Sequence, residues 1–254
     1  MAAPAGNMRS LDRAFDVLTV LQSAKQPLRL SELARLADLH VATVQRILGV
    51  LSERGFAARS ADGYTAGPAA LAVAHAFMVT NPLSVLAQPV LQQLAANTGF
   101  TASIYVRVEN SRVLIARVES DHPLSYVLPV GERLPLHLGG AGKTILAEMN
   151  DAEIDDAVAG VAEIAHADGS VLSKADLSSQ LEQIRRDGYA FSISERLFGI
   201  ASVTAPVRAQ DGTLTAVLGV TGPAESFDEN VRGQLVAEVR RAAASLGVRV
   251  PAGR

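Results

Sequence analysis

The sequence predicts an α+β protein in two parts: a helical N-terminal part that ends in a small hairpin, and a larger part built around a largely antiparallel sheet. Apolar residues recur at helical spacing through residues 31–51, with one interruption that indicates a tight turn. The dipeptide Asp62-Gly63 then lies between two short strand-like runs, which is typical of a hairpin. Further strand-like runs meet at residues 109–111 and at Asp211-Gly212.

Composition places the chain among ordinary globular proteins. Its 254 residues are 48% hydrophobic and 19% charged, enough for one large or two small domains that each have a core. The absence of cysteine excludes disulfides and thiolate metal sites and fits a reducing compartment. The N-terminus lacks a signal-peptide pattern, and no run of about 18 apolar residues could cross a bilayer. We therefore expect a cytoplasmic protein with no membrane partner.

The distribution of charge gives weak support to a basic N-terminal surface. Residues 1–80 hold eight Lys and Arg against six Asp and Glu, whereas the remainder holds 15 against 20. The net charge of −3 argues against a strongly basic nucleic-acid binder. The difference between the two parts still permits a local basic face.

Three helices are predicted before the hairpin. We expect Ser10 to cap the first helix, which ends before Pro27, and Ser31 to cap the second. The third helix is predicted over residues 41–53 and stops at Gly55, a residue type common at helix C-termini.

Together with the hairpin, these three helices predict a winged helix-turn-helix. Residues 56–58 and 64–65 form its two short strands. The polar residues of the third helix lie away from its buried side. They are of the types that contact phosphates and base edges in a major groove. These residues are His40, Thr43, Gln45 and Arg46. The alternative is a plain helical hairpin with a solvated polar face.

A short amphipathic helix is predicted over residues 68–79, and it needs a partner for its apolar stripe. Its own domain could supply that partner. The following mixed domain is predicted to contain helices over residues 83–97, 140–150, 151–159, 174–187 and 227–246, and strands over residues 101–108, 112–119, 124–128, 189–194, 201–208 and 213–221.

The segment GGAGKT, residues 139–144, resembles the end of a phosphate-binding loop. The full motif needs a glycine five residues before Gly142, and His137 occupies that position. We expect instead a glycine-rich turn that opens a helix, with free amides and a positive dipole end that suit a carboxylate. Tight packing of the helix on the sheet is the alternative.

The sequence shows no constellation of catalytic residues. Its five histidines have no metal-ligand spacing, and no G-x-S-x-G motif occurs. We expect His137 to be a hydrogen-bonded structural histidine and Asp155-Asp156 to lie on a helix surface. The sequence thus predicts no enzyme, no cofactor and no metal. An enzyme that acts on a small carboxylate through the C-terminal domain is the alternative.

Six motifs together carry a family resemblance that covers nearly the whole chain. They are SLDRAFDVLTVL, LSELARLADLHVATVQRILGVLSERGF, DGYTAGPAALAVA, LPLHLGGAGKTILAEM, DGYAFSISERLFGIASVTAPV and AVLGVTGP. In this order they resemble the IclR-type bacterial transcriptional regulators. The chain departs from the family at His40, where proline is common, and at Ala42, where serine is common.

The resemblance implies a division of labour along the chain. Residues 8–66 would be the DNA-binding domain, residues 67–82 a linker helix that helps to pair two subunits, and residues 83–250 a GAF-like effector-binding domain. The partners implied are a palindromic double-stranded DNA operator, a small organic acid and further copies of the chain, as a dimer or a dimer of dimers.

Candidate site residues follow from this resemblance and from the residues themselves. For DNA they are Ser31, His40, Ala42, Thr43, Gln45, Arg46 and Arg59, with Ser31 and Arg59 on phosphates. For the effector they are Tyr126, Gly140, Ala141, Ser192, Ile200, Ser202 and Gly219. Because none of the effector residues is an arginine, we expect backbone amides and hydroxyls to bind the anion. Lys143 and Glu195 are expected to form a structural ion pair or to face solvent.

Overall fold

The computed structural model describes residues 8–120, 128–161 and 163–250, and the predicted strand at 124–128 lies outside these ranges except for Leu128. The chain divides into two compact units, Met1–Thr80 and Asn81–Arg254. Within the described residues no single helix is long and apolar enough to span a membrane, and α4 and α5, defined below, reach that length only when counted as one pair broken at Asn81.

The first unit contains four helices and one hairpin. They are α1 (Arg9–Ser23), α2 (Leu30–Leu36), α3 (Val41–Glu53), β1 (Ala57–Arg59), β2 (Tyr64–Ala66) and α4 (Ala69–Thr80). A small core joins α1, α2, α3 and β1 through the buried side chains of Val17, Leu21, Leu33, Ala34, Val44, Leu48, Leu51 and Ala57. The predicted third helix has the bounds expected of it, and the winged helix-turn-helix is confirmed.

The predicted caps of the first two helices are wrong. Helix α1 begins at Arg9, so Ser10 lies inside its first turn. Helix α2 begins at Leu30, so Ser31 also lies inside the helix. The amide of Arg29 donates to the Glu32 carboxylate at 2.8 Å. A glutamate in the first turn therefore satisfies the amide of the residue that precedes the helix.

The hairpin is held by a third short segment. Strands β1 and β2 pair antiparallel, with Arg59 opposite Tyr64. Leu28 and Tyr64 exchange two backbone hydrogen bonds, of 2.9 and 2.8 Å. A side chain at Gly63 would come within 2.5 Å of the Leu28 carbonyl oxygen, so this approach requires glycine.

The second unit is a mixed domain around one sheet. Its helices are α5 (Pro82–Thr98), α6 (Gly140–Ala147), α7 (Asp151–Ala157), α8 (Lys174–Asp187) and α9 (Glu229–Gly247), and its strands are β3 (Thr101–Val108), β4 (Ser111–Val118), β5 (Arg133–Pro135), β6 (Ile164–Ala165), β7 (Val171–Leu172), β8 (Ala190–Ile193), β9 (Ile200–Arg208) and β10 (Leu214–Pro223). Six strands form one sheet in the order β5-β4-β3-β10-β9-β8, in which all neighbours are antiparallel. The antiparallel α+β prediction is confirmed, and the short strands β5, β6 and β7 were not predicted.

Helices cover both faces of this sheet. Leu218 packs in a core with α5 and α9, whereas its neighbour Val217 packs in a core with α6 and α8. Because successive side chains of a strand point to opposite faces, these two cores lie on opposite sides of the sheet. The face that carries α6 also carries the cavity described next.

Candidate functional site

Helix α3 presents a polar surface to solvent. Ala42, Gln45 and Arg46 are exposed and Thr43 is half-buried, while Val44 is wholly buried on the opposite side. The helix therefore has one face packed on the core and one face available to a partner.

The other candidate DNA contacts are exposed as well. His40 is the residue that precedes α3, and its side chain makes no capping hydrogen bond. Ser31 is exposed on α2. Arg59 is exposed on the hairpin, with its guanidinium carbon 5.7 Å from the centre of the Tyr64 ring. These side chains carry donors that suit phosphate oxygens.

A cavity in the second unit brings together six of the seven candidate effector residues. Gly140, Ala141, Ser192, Ile200, Ser202 and Gly219 all line it. The seventh, Tyr126, lies outside the described residues. The cavity volume is about 80 Å³. This is far below the roughly 300–1,000 Å³ of sites for drug-sized ligands, so the cavity fits a small molecule.

Hydroxyl groups tie the first turn of α6 to the sheet. The amide of Gly140 donates to Ser192 Oγ at 3.0 Å, and Ser192 Oγ lies 2.8 Å from Ser202 Oγ. Thr144 Oγ1 lies 2.9 Å from Thr204 Oγ1. A side chain at Gly140 would come within 3.1 Å of the hydroxyls of Ser202 and Thr204. Glycine at this position therefore allows the helix to approach the sheet closely.

Two amides at the start of α6 are not free, as the sequence had predicted them to be. Glu195 Oε2 accepts the amide of Gly139 at 2.8 Å, and Ser192 occupies the amide of Gly140. The chain's own carboxylate thus lies at the positive end of α6. The amides were expected to be free because the spacing of a loop does not show which distant side chain reaches it.

The side chain of Lys143 is also bonded within the protein. Its ammonium group forms an ion pair with Glu195, and only 3% and 8% of the two side chains are exposed. It also donates to Gln180 Oε1 at 2.9 Å. The expected structural ion pair is therefore present. A lysine held in this way is not available to a nucleotide phosphate, which argues further against a phosphate-binding loop.

Three arginines that were not among the candidates contribute to the cavity wall. Arg112, Arg117 and Arg196 all line it. Arg117 donates to the Leu128 carbonyl at 2.9 Å and pairs with Glu119 at 2.6 Å. Arg112, only 3% exposed, donates from one Nη to the carbonyls of Pro135 and Leu138.

The pKa of Arg112 is lowered to about 10, chiefly by burial and also by the positive charge of Arg196, against opposing effects of Tyr105 and Glu195. The guanidinium remains charged at neutral pH because this value lies well above 7. The cavity wall therefore contains a buried positive charge.

Strand β3 supplies lining residues that were not among the candidates. Thr101, Ser103 and Tyr105 line the cavity, while Ala102 and Ile104 are wholly buried in the opposite core. The signal was present in the sequence, since alternate residues of a strand share one face and this run alternates polar and apolar types.

His137 departs from its expected role. Its Nδ1 is buried and has no hydrogen-bond partner among the residues that the structure describes. Desolvation lowers the pKa of His137, and the nearby charge of Arg112 lowers it further. The ring is therefore biased toward its neutral form.

The loop between β8 and β9 closes on itself at the cavity rim. The amide of Gly199 donates to Ser194 Oγ at 3.0 Å, and the amide of Ser194 donates to the Ile200 carbonyl at 2.8 Å. Leu197 lines the cavity, and the side chain of Phe198 is 77% exposed. Within the described parts of the chain, no group of three or more His, Cys, Asp or Glu side chains could hold a metal ion.

Comparison with known proteins identifies both units. A family model described as "IclR helix-turn-helix domain" matches residues 10–61. A second, "Bacterial transcriptional regulator IclR C-terminal", matches residues 75–248. The HTH-type transcriptional regulator BhcR of Paracoccus denitrificans is 30% identical over 87% of this chain and 80% of its own.

Solved structures show the same fold. An IclR transcriptional regulator from Alicyclobacillus acidocaldarius has a TM-score of 0.82 at 22% identity, covering 95% of this chain and 98% of the other. An IclR homolog from Microbacterium hydrocarbonoxydans, complexed with 4-hydroxybenzoate, has a TM-score of 0.77 at 20% identity, covering 94% and 97%. The family models and the relative are those of regulators rather than enzymes. The chain belongs to the IclR family of bacterial transcriptional regulators, with a DNA-binding helix-turn-helix domain and an effector-binding domain.

Proposed function

We propose that this regulator binds a palindromic operator as a dimer or a dimer of dimers, and that a small organic carboxylate, aromatic acids included, changes that binding. The observation that carries the proposal is the small polar cavity at the N-terminal end of α6. Its volume suits a small acid, and its lining combines hydroxyls with arginines. Since the Microbacterium homolog was solved with 4-hydroxybenzoate, that acid is the first probe for this chain.

Helix α3 is the proposed reader of base edges. Gln45 and Arg46 are exposed side chains that can make bidentate contacts with adenine and guanine, each worth about 1–3 kcal/mol of discrimination. His40, Ala42 and Thr43 lie on the same helix or at its start. Ser31 and Arg59 are proposed phosphate contacts, which set the position of the helix on DNA.

Helix α4 supports the pairing of two chains. Residues 71–80 are all exposed, and none of them is Lys, Arg, Asp or Glu. Its large apolar side chains include Leu71, which is 73% exposed, and Val79, which is 66% exposed. A second copy of the helix would remove this surface from water and place two reading helices on two half-sites. The proposed functional division is residues 8–66 for DNA, 67–82 for linking and 83–250 for the effector.

The switch requires different ligand affinities in two arrangements of the dimer, because a ligand shifts a conformational equilibrium only by that difference. We propose that acid binding changes the spacing of the two reading helices through the linker helices. The order of reader, linker and sensor along the chain supports this.

Selection of DNA from a random double-stranded library tests the proposal. Purified protein is expected to enrich sequences with two symmetric half-sites about 10–10.5 bp or a multiple apart. Arg46→Ala is expected to weaken operator binding about 10- to 100-fold with an unchanged melting temperature. Arg133→Ala, which removes a half-exposed arginine of the second unit, is the control.

The ligand arm repeats the binding assay with 4-hydroxybenzoate and a panel of small acids. An acid that binds is expected to change operator affinity. Recovery of DNA without two-fold symmetry, unchanged affinity in Arg46→Ala, or acids that bind without any effect on operator affinity would each contradict the proposal.

A further inference from the structure

The cavity of the second unit is lined by a buried arginine whose hydrogen-bonding groups are not all paired within the described residues. Arg112 is only 3% exposed and lines the cavity. Its side chain leaves β4 and reaches the carbonyls of Pro135 and Leu138, both through the same Nη atom. Its Nε is buried and has no hydrogen-bond partner among the described residues.

Among the described residues, Arg112 also forms no ion pair. Within residues 8–120, 128–161 and 163–250, no carboxylate oxygen lies within 4.0 Å of this guanidinium. A buried charge without a partner is costly, and proteins normally pair such groups or neutralise them. An anion in the adjoining cavity would supply the missing partner.

Two other charged side chains of the cavity already have partners. Glu195 is engaged by Lys143 and by the amide of Gly139. Arg117 is already paired with Glu119. The positive end of α6 faces the Glu195 carboxylate and not an incoming anion. Among Glu195, Arg117 and Arg112, it is therefore Arg112 whose charge and Nε donor are available to a ligand.

We infer that Arg112 recognises the carboxylate of the effector and makes the cavity selective for acids over neutral molecules of the same shape. The inference rests on the proposed function and names the residue that makes the cavity prefer carboxylates. A guanidinium fork binds a carboxylate through charge-assisted hydrogen bonds, whereas a carboxamide carries no charge and loses most of that gain. The hydroxyls of Ser103 and Thr101 also line the cavity and can orient the remainder of a small acid.

The first test uses wild-type protein and matched probe pairs. Benzoate and propionate are compared with benzamide and propionamide by calorimetric titration and by thermal shift at pH 7 and fixed ionic strength. At least one carboxylate is expected to bind about 10- to 100-fold more tightly than its amide, because one partner of the bond is charged. Equal binding of acid and amide, or no binding by any of the four, overturns the inference.

The second test uses three variants of the full chain. Arg112→Met is expected to abolish the preference for acid over amide, and Arg112→Lys, which keeps the charge, to retain part of it. Arg107→Met is the matched control, since Arg107 lies directly opposite Arg112 on β3 but pairs with Glu153 and does not line the cavity. Preserved preference in a folded Arg112→Met, or its loss in Arg107→Met, overturns the inference. If Arg112→Met does not fold, the inference is tested by the acid-over-amide preference of Arg112→Lys and of the wild-type protein.

Failure of the inference is distinguishable from failure of the proposed function. A neutral molecule that changes operator affinity, with no preference for acids, would leave a ligand-responsive regulator and overturn the role of Arg112. A strong, Arg112-dependent preference for acids in a protein that selects no DNA would support the role of Arg112 and overturn the proposed function.

Discussion

Lys143 and Glu195 form an almost wholly buried ion pair directly behind the glycine-rich turn, 52 residues apart in the chain. Glu195 also accepts the amide of Gly139 at 2.8 Å, and Lys143 donates to Gln180 at 2.9 Å. Each charge is therefore solvated by the protein as well as by its partner. Removal of one member leaves the other charge buried and partly uncompensated.

Lys143→Met is expected to lower the free energy of unfolding by about 3–5 kcal/mol, measured by urea denaturation. The double variant Lys143→Met with Glu195→Gln is expected to recover part of that loss, because no charge is then left unpaired. Arg186→Met serves as the control, since its pair with Glu182 is exposed and contributes only about 0.2–1 kcal/mol. A loss below about 1 kcal/mol in Lys143→Met would contradict the structural role of the pair.

Gly219→Ala is expected to destabilise the protein by about 1–3 kcal/mol. A Cβ at this position would come within 2.2 Å of the Val203 carbonyl oxygen and 2.8 Å of the Thr204 Cα, both of which are backbone atoms. Thermal melts compare this variant with Gly233→Ala, where a Cβ meets nothing within 4 Å inside helix α9. The control is expected to gain up to about 1 kcal/mol from helix propensity. Similar melting temperatures for the two variants would refute the close approach at Gly219.

The folded protein is expected to lose stability as pH falls through 6.5, with part of the loss due to His137. Burial and Arg112 lower the pKa of His137 in the folded state. Below pH 6.5 the unfolded chain therefore binds the proton more readily than the folded chain, which favours unfolding. Urea denaturation between pH 7.5 and 5 is expected to show a shallower fall in His137→Gln. An identical pH dependence in the two proteins would exclude this histidine as a contributor.

Phe77→Glu and Leu71→Glu are expected to convert paired chains into monomers, measured by light scattering coupled to size exclusion. Both side chains are exposed on α4, and a charge there opposes burial against a second copy. Val171→Glu, on an exposed strand of the second unit, is the control and is expected to keep the wild-type mass. Wild-type mass in both α4 variants would contradict the proposed pairing through α4.

Local patterns predicted most of the fold because local chemistry determines it. Helix α8 has the predicted bounds, since Ser173 caps it with a hydrogen bond to the Asp176 amide and Gly188 ends it with a positive φ of 71°. Helix α3 also has its predicted bounds. The predictions that Ser10 and Ser31 are caps were wrong because several residue types near a helix start compete for the same backbone amides.

The candidate site could be predicted only in part. The glycine-rich turn and the serines of β8 and β9 do line one cavity, as the resemblance implied. Arg112 was missed because its burial depends on carbonyls 23 and 26 residues away, beyond the reach of any local pattern. The contact of Glu195 with the amide of Gly139, directly before α6, was missed for the same reason, since the two residues are 56 positions apart.

The self-closed loop at residues 194–200 has a consequence for how such sensors diversify. Its two ends are joined by their own hydrogen bonds, so the sheet registers do not depend on what its tip carries. Leu197 and Phe198 can therefore be exchanged at little cost to folding, while exchange of Leu197 reshapes the wall of the cavity. A mutational library confined to these two positions would be an economical route to biosensors with new inducers.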